Sequence, residues 1–108
     1  MQSAFVIMWV LVLFDLPVGS PTERRRATQF RQMLLDEGFM MKQFSAYLRS
    51  CPNRSTAEAL ADRVGNKAPP EGDVSVLFFT DKQYGMTRNY SGAARDVVEE
   101  KPPQLALF

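Results

Sequence analysis

Ten consecutive apolar residues, Phe5–Phe14, stand near the start of the chain and stop on Asp15-Leu16-Pro17. An unbroken run rich in Val, Leu and Phe is a strand covered on both faces, because a strand with one wet face alternates. It falls well short of the roughly 20 residues a membrane helix needs. It also lacks the basic segment before it and the small-residue cleavage site after it that mark a secretory leader. The run is therefore expected to lie inside a sheet, with Asp15-Leu16-Pro17 turning the chain away. The carboxylate at its end has two readings. Asp15 either orders the Leu16–Ser20 turn by accepting backbone N–H bonds, or serves as a ligand or acid at the strand's open end.

The punctuation that follows sets the order of elements. Ser20-Pro21-Thr22-Glu23 is a capping box with proline at the first helical position. Ala27, Phe30 and Leu34, with Met33 beside them, make one apolar stripe, and Gly38 ends the helix. Phe39–Ser50 is too apolar for a loop and predicts two short strands with a bend near Gln43–Phe44. Cys51-Pro52-Asn53 is a break. Ser55–Lys67 predicts a second helix with Ala57, Leu60, Ala61 and Val64 on one side, stopped by Gly65-Asn66. Asp73–Thr80 is another strand, with Val74, Val76 and Phe78 on one face and Leu77 and Phe79 on the other. "DKQYG" is a turn or a single helical turn, and residues 86–92 are an expected short edge strand.

Strand, helix, strand, strand, helix, strand is the ferredoxin-like βαββαβ plan, an α+β fold. The expected domain is residues 1–91, with the extra edge strand near its end, followed by a tail over 92–108 with an apolar tip. Both helices cover one sheet face. The other face is apolar as well, and an exposed patch of that size is a liability. A homodimer packed through the sheet faces across a two-fold axis is the expected cover.

Composition narrows the chemistry. Histidine is absent, which removes histidine general bases, the Ser-His-Asp triad and most zinc sites. The single cysteine, Cys51, allows no internal disulfide and favours a reducing, cytoplasmic setting; it reads as a packing residue. Between Leu16 and Lys67 basic residues outnumber acidic ones nine to five, and from Ala68 onward acidic outnumber basic six to four. The first half thus carries a positive field that the net charge of +1 conceals. Arg24, Arg25 and Arg26 sit where a helix dipole disfavours cations, and Arg24 shares a flank with Arg31. Phosphate contact is one reading of that arrangement, with Lys42, Arg49 and Arg54 extending the track; a solvated face is the other. Tyr47, Tyr84 and Tyr90 either stack bases or pack the sheet. Leu105, Leu107 and Phe108, after two prolines, suit addition to a sheet edge of a partner.

The stretches "VLVLFDLPVGSPTERRRATQFRQMLLDEGFMMKQFSAYLR" and "GDVSVLFFTDKQYG" resemble the CRISPR-associated Cas2 family. "FDLP", "DEGFMMKQFS", "VLFFTDKQY" and the terminal "PPQLALF" are similar, more narrowly, to members that accompany type II effector nucleases. The match runs nearly end to end. The resemblance implies a homodimeric core of a spacer-acquisition complex in antiviral defence. That core would bridge the CRISPR integrase Cas1, bind duplex spacer-precursor DNA by its backbone and adjoin the effector nuclease. It also implies a metal-dependent endonuclease of RNA or DNA, in which the aspartate at the end of the first strand, here Asp15, holds the metal. One carboxylate is a poor Mg²⁺ site, since that ion wants six oxygens; two copies of Asp15 meeting at a two-fold axis would improve it. A small ferredoxin-like regulator or toxin-like nuclease without a CRISPR link is the remaining alternative.

Overall fold

The computed structural model describes residues 6–92. Four strands and three helices follow one another as β1 (Met8–Asp15), α1 (Pro21–Asp36), β2 (Met40–Gln43), β3 (Ala46–Cys51), α2 (Arg54–Asn66), β4 (Asp73–Thr80) and α3 (Asp81–Tyr84). The sheet order is β2-β3-β1-β4, and every neighbouring pair is antiparallel. This is the ferredoxin-like arrangement expected from the sequence, with the apolar run of β1 at an interior position.

The caps act as the sequence implies, with one addition. The Ser20 hydroxyl accepts from the Glu23 N–H at 3.1 Å and the Glu23 carboxylate accepts from the Ser20 N–H at 2.9 Å. Gly38, at φ +89°, turns the chain after α1. Helix α2 starts at Arg54 because Asn53 caps it, accepting from the Thr56 N–H at 2.8 Å; Asn53 is a start signal, and not merely part of a break.

One core lies between the helices and the sheet. Val10, Val12, Phe14, Tyr47 and Cys51 of the sheet meet Phe30 and Leu34 of α1 and Ala57, Leu60 and Val64 of α2. Phe14 packs edge-on against Phe30 at 5.2 Å between ring centroids and tilted against Tyr47 at 5.7 Å. Tyr47 is thus a core residue, not a stacking surface. Cys51 is buried in the same core, and burial pushes its thiol up, in keeping with a packing role.

The second face differs from expectation. It is not bare: the chain covers half of it. Trp9 and Leu48, each 1% exposed, form a second cluster with Leu11, Met40, Phe79 and Tyr84 against them. The turn of α3 folds across this face, where Tyr84 stacks on Trp9 at 4.8 Å and the Trp9 indole N–H donates to Asp81 at 2.8 Å. Tyr84 is therefore also committed to packing. Beyond α3 the expected edge strand over residues 86–92 is reduced to an isolated bridge at Tyr90. The N–H groups of Gly85, Met86 and Thr87 donate back to the carbonyls of Asp81, Gln83 and Tyr84 and are lost to a ladder. Lys42 donates to Asn89 at 2.7 Å, tying this segment to β2. The tail residues Leu105, Leu107 and Phe108 lie outside the described residues. No helix among the described residues is long and apolar enough to cross a membrane.

Candidate active site

Asp15 is the last residue of β1, an interior strand, and alternation places it on the same face as Trp9, Leu11 and Leu13. At that end α3 gives no cover. Leu13 is 40% exposed and Asp15 is exposed. Directly across the β1–β4 ladder from Asp15 stands Asp73. The pair opens on a depression of about 400 Å³ lined by Leu13, Asp15, Gln43, Ser45, Asp73 and Ser75, among others. Like charges set opposite one another on a sheet are destabilising. No hydrogen bond or ion pair joins the Asp15 side chain to any described residue. The capping reading of Asp15 therefore has no bond to stand on, and the cap at this point is the Ser20–Glu23 box that starts α1.

Gly72 sets this geometry. Its φ of +90° suits glycine. A Cβ there would sit 2.6 Å from the Asp15 carbonyl oxygen, 2.9 Å from Leu16 Cδ2 and 3.0 Å from Pro17 Cδ. Only a bare backbone can pass so close under the end of β1, and that passage is what brings Asp73 level with Asp15.

The seven candidate phosphate-binding cations do not form one track. Arg26 is held by both carboxylate oxygens of Glu71 at 2.8 Å, just before Gly72. Arg24 donates to the Val18 carbonyl at 3.2 Å, and Arg25 makes no bond to the described residues. Arg31 lies over the Phe44 ring, 3.9 Å from its centroid, and 5.4 Å from that of Phe14. Lys42 holds Asn89. Arg49 is partly buried, runs beside Gly38 and donates to the Glu37 carbonyl at the end of α1. Arg54 pairs with Glu58 at 3.0 Å. It follows Cys51, which pairs with Met8, so it stands at the opposite end of the sheet from Asp15. Arg24, Arg25 and Arg31 thus remain on α1 and Lys42 on β2, while Arg49 and Arg54 serve elsewhere.

Several residues of this end were not legible as functional. Asp73 reads as a turn residue until the antiparallel register aligns the start of β4 with the end of β1. Ser45, Ser75 and Gln43 carry no pattern of their own. Phe44 reads as the bend of a hairpin, yet it is 68% exposed beside the depression.

The family model described as CRISPR associated protein Cas2 matches residues 8–87, the span from the first residue of β1 to just past α3. The chain belongs to the Cas2 family. It is 42% identical over 108 residues to a CRISPR-associated endoribonuclease Cas2 of Paracidovorax avenae, covering 100% of both chains. It is 43% identical over 101 residues to one of Flavobacterium psychrophilum, covering 94% of this chain and 88% of the relative. A crystal structure titled as Cas2 superposes with a TM-score of 0.58 at 18% identity, over 89% of this chain and 99% of that one, which bears on the fold alone. Asp15 and Asp73 both fall inside the Cas2 match.

Proposed function

We propose that this chain is a metal-dependent endonuclease that hydrolyses RNA phosphodiesters, with Asp15 as its central carboxylate. The observation that carries the reading is the state of that side chain. Asp15 ends an interior strand, faces a second carboxylate and has no partner among the described residues. The names of the Cas2 relatives, which call them endoribonucleases, support the same reading.

The donors fit a hard cation. Asp15 and Asp73 supply carboxylate oxygens and Ser45, Ser75 and Gln43 supply neutral ones, the set that Mg²⁺ prefers over softer metals. No group of three or more His, Cys, Asp or Glu gathers among the described residues, so two carboxylates, or Asp15 from two copies, would hold the ion. A bound Mg²⁺ would supply a water of lowered pKa and charge stabilisation at the phosphate. The chain's own residues do the rest. Asp15 and Asp73 concentrate negative charge at one point, the serine hydroxyls offer donors to phosphate oxygens, and Gly72 keeps the two strand ends level.

The test is RNA cleavage with and without Mg²⁺. Asp15→Asn is expected to lower the rate on the order of a hundredfold or more, without lowering the melting temperature, since a like-charge pair is relieved. Calorimetry that finds the same Mg²⁺ affinity in wild type and Asp15→Asn would sink the ligand assignment.

A second reading is favoured by Leu13 and Leu77, which alternation places together on the part of the sheet face that α3 leaves uncovered. A second copy of this chain packed there would bury them, giving the homodimeric core of a type II spacer-acquisition complex that binds duplex DNA and Cas1. Arg24, Arg25 and Arg31 would then contact phosphates, each adding about one unit to the salt slope of log affinity. Sedimentation of a lone subunit at micromolar concentration would overturn it.

A further inference from the structure

Phe44 poses a question that packing does not answer. It sits at the connection between β2 and β3, where the register shifts between Met41 and Gln43. An isolated exposed phenylalanine is ordinary, but this one is held. The Arg31 guanidinium lies 3.9 Å over one face of its ring, and Arg31 Nε donates to the Phe44 carbonyl at 3.5 Å. Arg31 is itself backed by the Phe14 ring at 5.4 Å. The result is a layered arrangement of aromatic, cation and aromatic, anchored in the core through Phe14. With one face covered by Arg31, a residue 68% exposed has its other face open to solvent.

The surroundings indicate what that open face would take. Arg31 stands behind the ring, while Lys42, two residues away on β2, is held by Asn89. An exposed aromatic face backed by a cation suits an unpaired base, since base stacking on an aromatic is sequence-tolerant. Met41 and Leu13 are exposed as well, but neither offers the flat, cation-backed face on which a base stacks. The neighbours of Phe44 in sequence, Gln43 and Ser45, line the depression that holds Asp15, and Phe14 adjoins Asp15 directly.

We propose that the Arg31-backed ring of Phe44 is a stacking platform for an unpaired nucleobase of single-stranded RNA, positioning the adjoining phosphodiester over the Asp15 depression. The choice of RNA rests on the endonuclease reading; the platform itself rests on the ring, the guanidinium and their exposure. Phe44 is a positioning residue that contacts the base. Duplexes, whose base faces are occupied, gain nothing from it.

The probe is a short single-stranded RNA carrying 2-aminopurine, titrated with the full chain in EDTA so that no turnover intervenes. Wild type is expected to quench the fluorescent base. Phe44→Ala is expected to lose the quenching and bind about 5- to 100-fold more weakly, while Phe44→Tyr retains both. Binding of a duplex of equal length is expected to change less than about twofold. Phe44→Ala exposes no core, and its melting temperature should match wild type. Single-strand affinity and quenching unchanged in Phe44→Ala would overturn the platform, as would equal losses on single strand and duplex. The two readings fail separately. Asp15-dependent cleavage with KM and kcat unchanged in Phe44→Ala removes the platform alone. Quenching that persists in Asp15→Asn, with no cleavage by wild type, removes the endonuclease and leaves the platform standing.

Discussion

The two ends of the open sheet face are built from the same strands and resolved in opposite ways. At the Trp9 end the chain closes on itself. Tyr84 covers the indole, Asp81 takes its N–H, and Leu48 is sealed beneath. At the Asp15 end two carboxylates face each other, two serines and a glutamine ring the hollow, and Leu13 is exposed. An aspartate at one end satisfies a donor, and an aspartate at the other stands opposite a second aspartate. Satisfied polar groups hold a fold together, whereas the opposed carboxylates of the open end contribute nothing to it and are where the proposed metal would bind.

The sharpest way to break this contrast is to remove the closed end. Trp9→Ala is expected to cost about 3–5 kcal/mol in denaturant unfolding, because a fully buried indole leaves a cavity and strands Asp81. If Trp9→Ala cost less than about 1 kcal/mol, α3 would be a loose flap, and the two ends would not differ in kind.

Next in size is the backbone approach that creates the open end. Gly72→Ala forces a left-handed conformation on alanine and drives Cβ into the Asp15 carbonyl. The expected loss is about 1–3 kcal/mol. RNA cleavage should fall further than the folded fraction does, since Asp73 can no longer stand level with Asp15. Cleavage that tracks folded protein alone would make Gly72 purely architectural.

How far the sequence reveals these ends follows from the physics of each signal. The order of elements is legible because caps and apolar periodicity are local: Ser20–Glu23, Gly38 and the run into Phe14 each act within a few residues. Asp15 stands out because an acid interrupts a greasy strand. Asp73 does not, because after Gly72 an aspartate reads as a turn and only the β1–β4 register gives it a partner. The lid over Trp9 is hidden for a related reason. Apolar residues on both faces demand cover but do not say whose, and four residues, Asp81–Tyr84, carry too little pattern to nominate themselves. The cations mislead in the opposite sense. Arg49 and Arg54 look like members of a basic half, yet one ends α1 through the Glu37 carbonyl and the other pairs within α2.

The smallest effect concerns a fourth carboxylate, on the helical side, whose charge is fully answered. Glu37 accepts from Arg63 at 3.1 Å through both oxygens and has Lys67 at 3.9 Å. Hydrogen bonding from Arg63, with the charges of Arg63, Lys67 and Arg49, outweighs partial burial and holds the Glu37 carboxyl below its ordinary value of 4.5. A group whose folded pKa is depressed contributes stability that is present above the unfolded value and lost as pH falls through the folded one. The unfolding midpoint of wild type should therefore decline below about pH 4.5, and Glu37→Gln should flatten that part of the decline while leaving neutral-pH cleavage of RNA unchanged. Arg63 is exposed and Glu37 only partly buried, so the difference should shrink in high salt. An acid limb identical in wild type and Glu37→Gln would mean that the clamp joining the end of α1 to α2 holds nothing. Glu37 would then stand with Asp15, as a carboxylate whose neighbours do not explain it, rather than with Asp81.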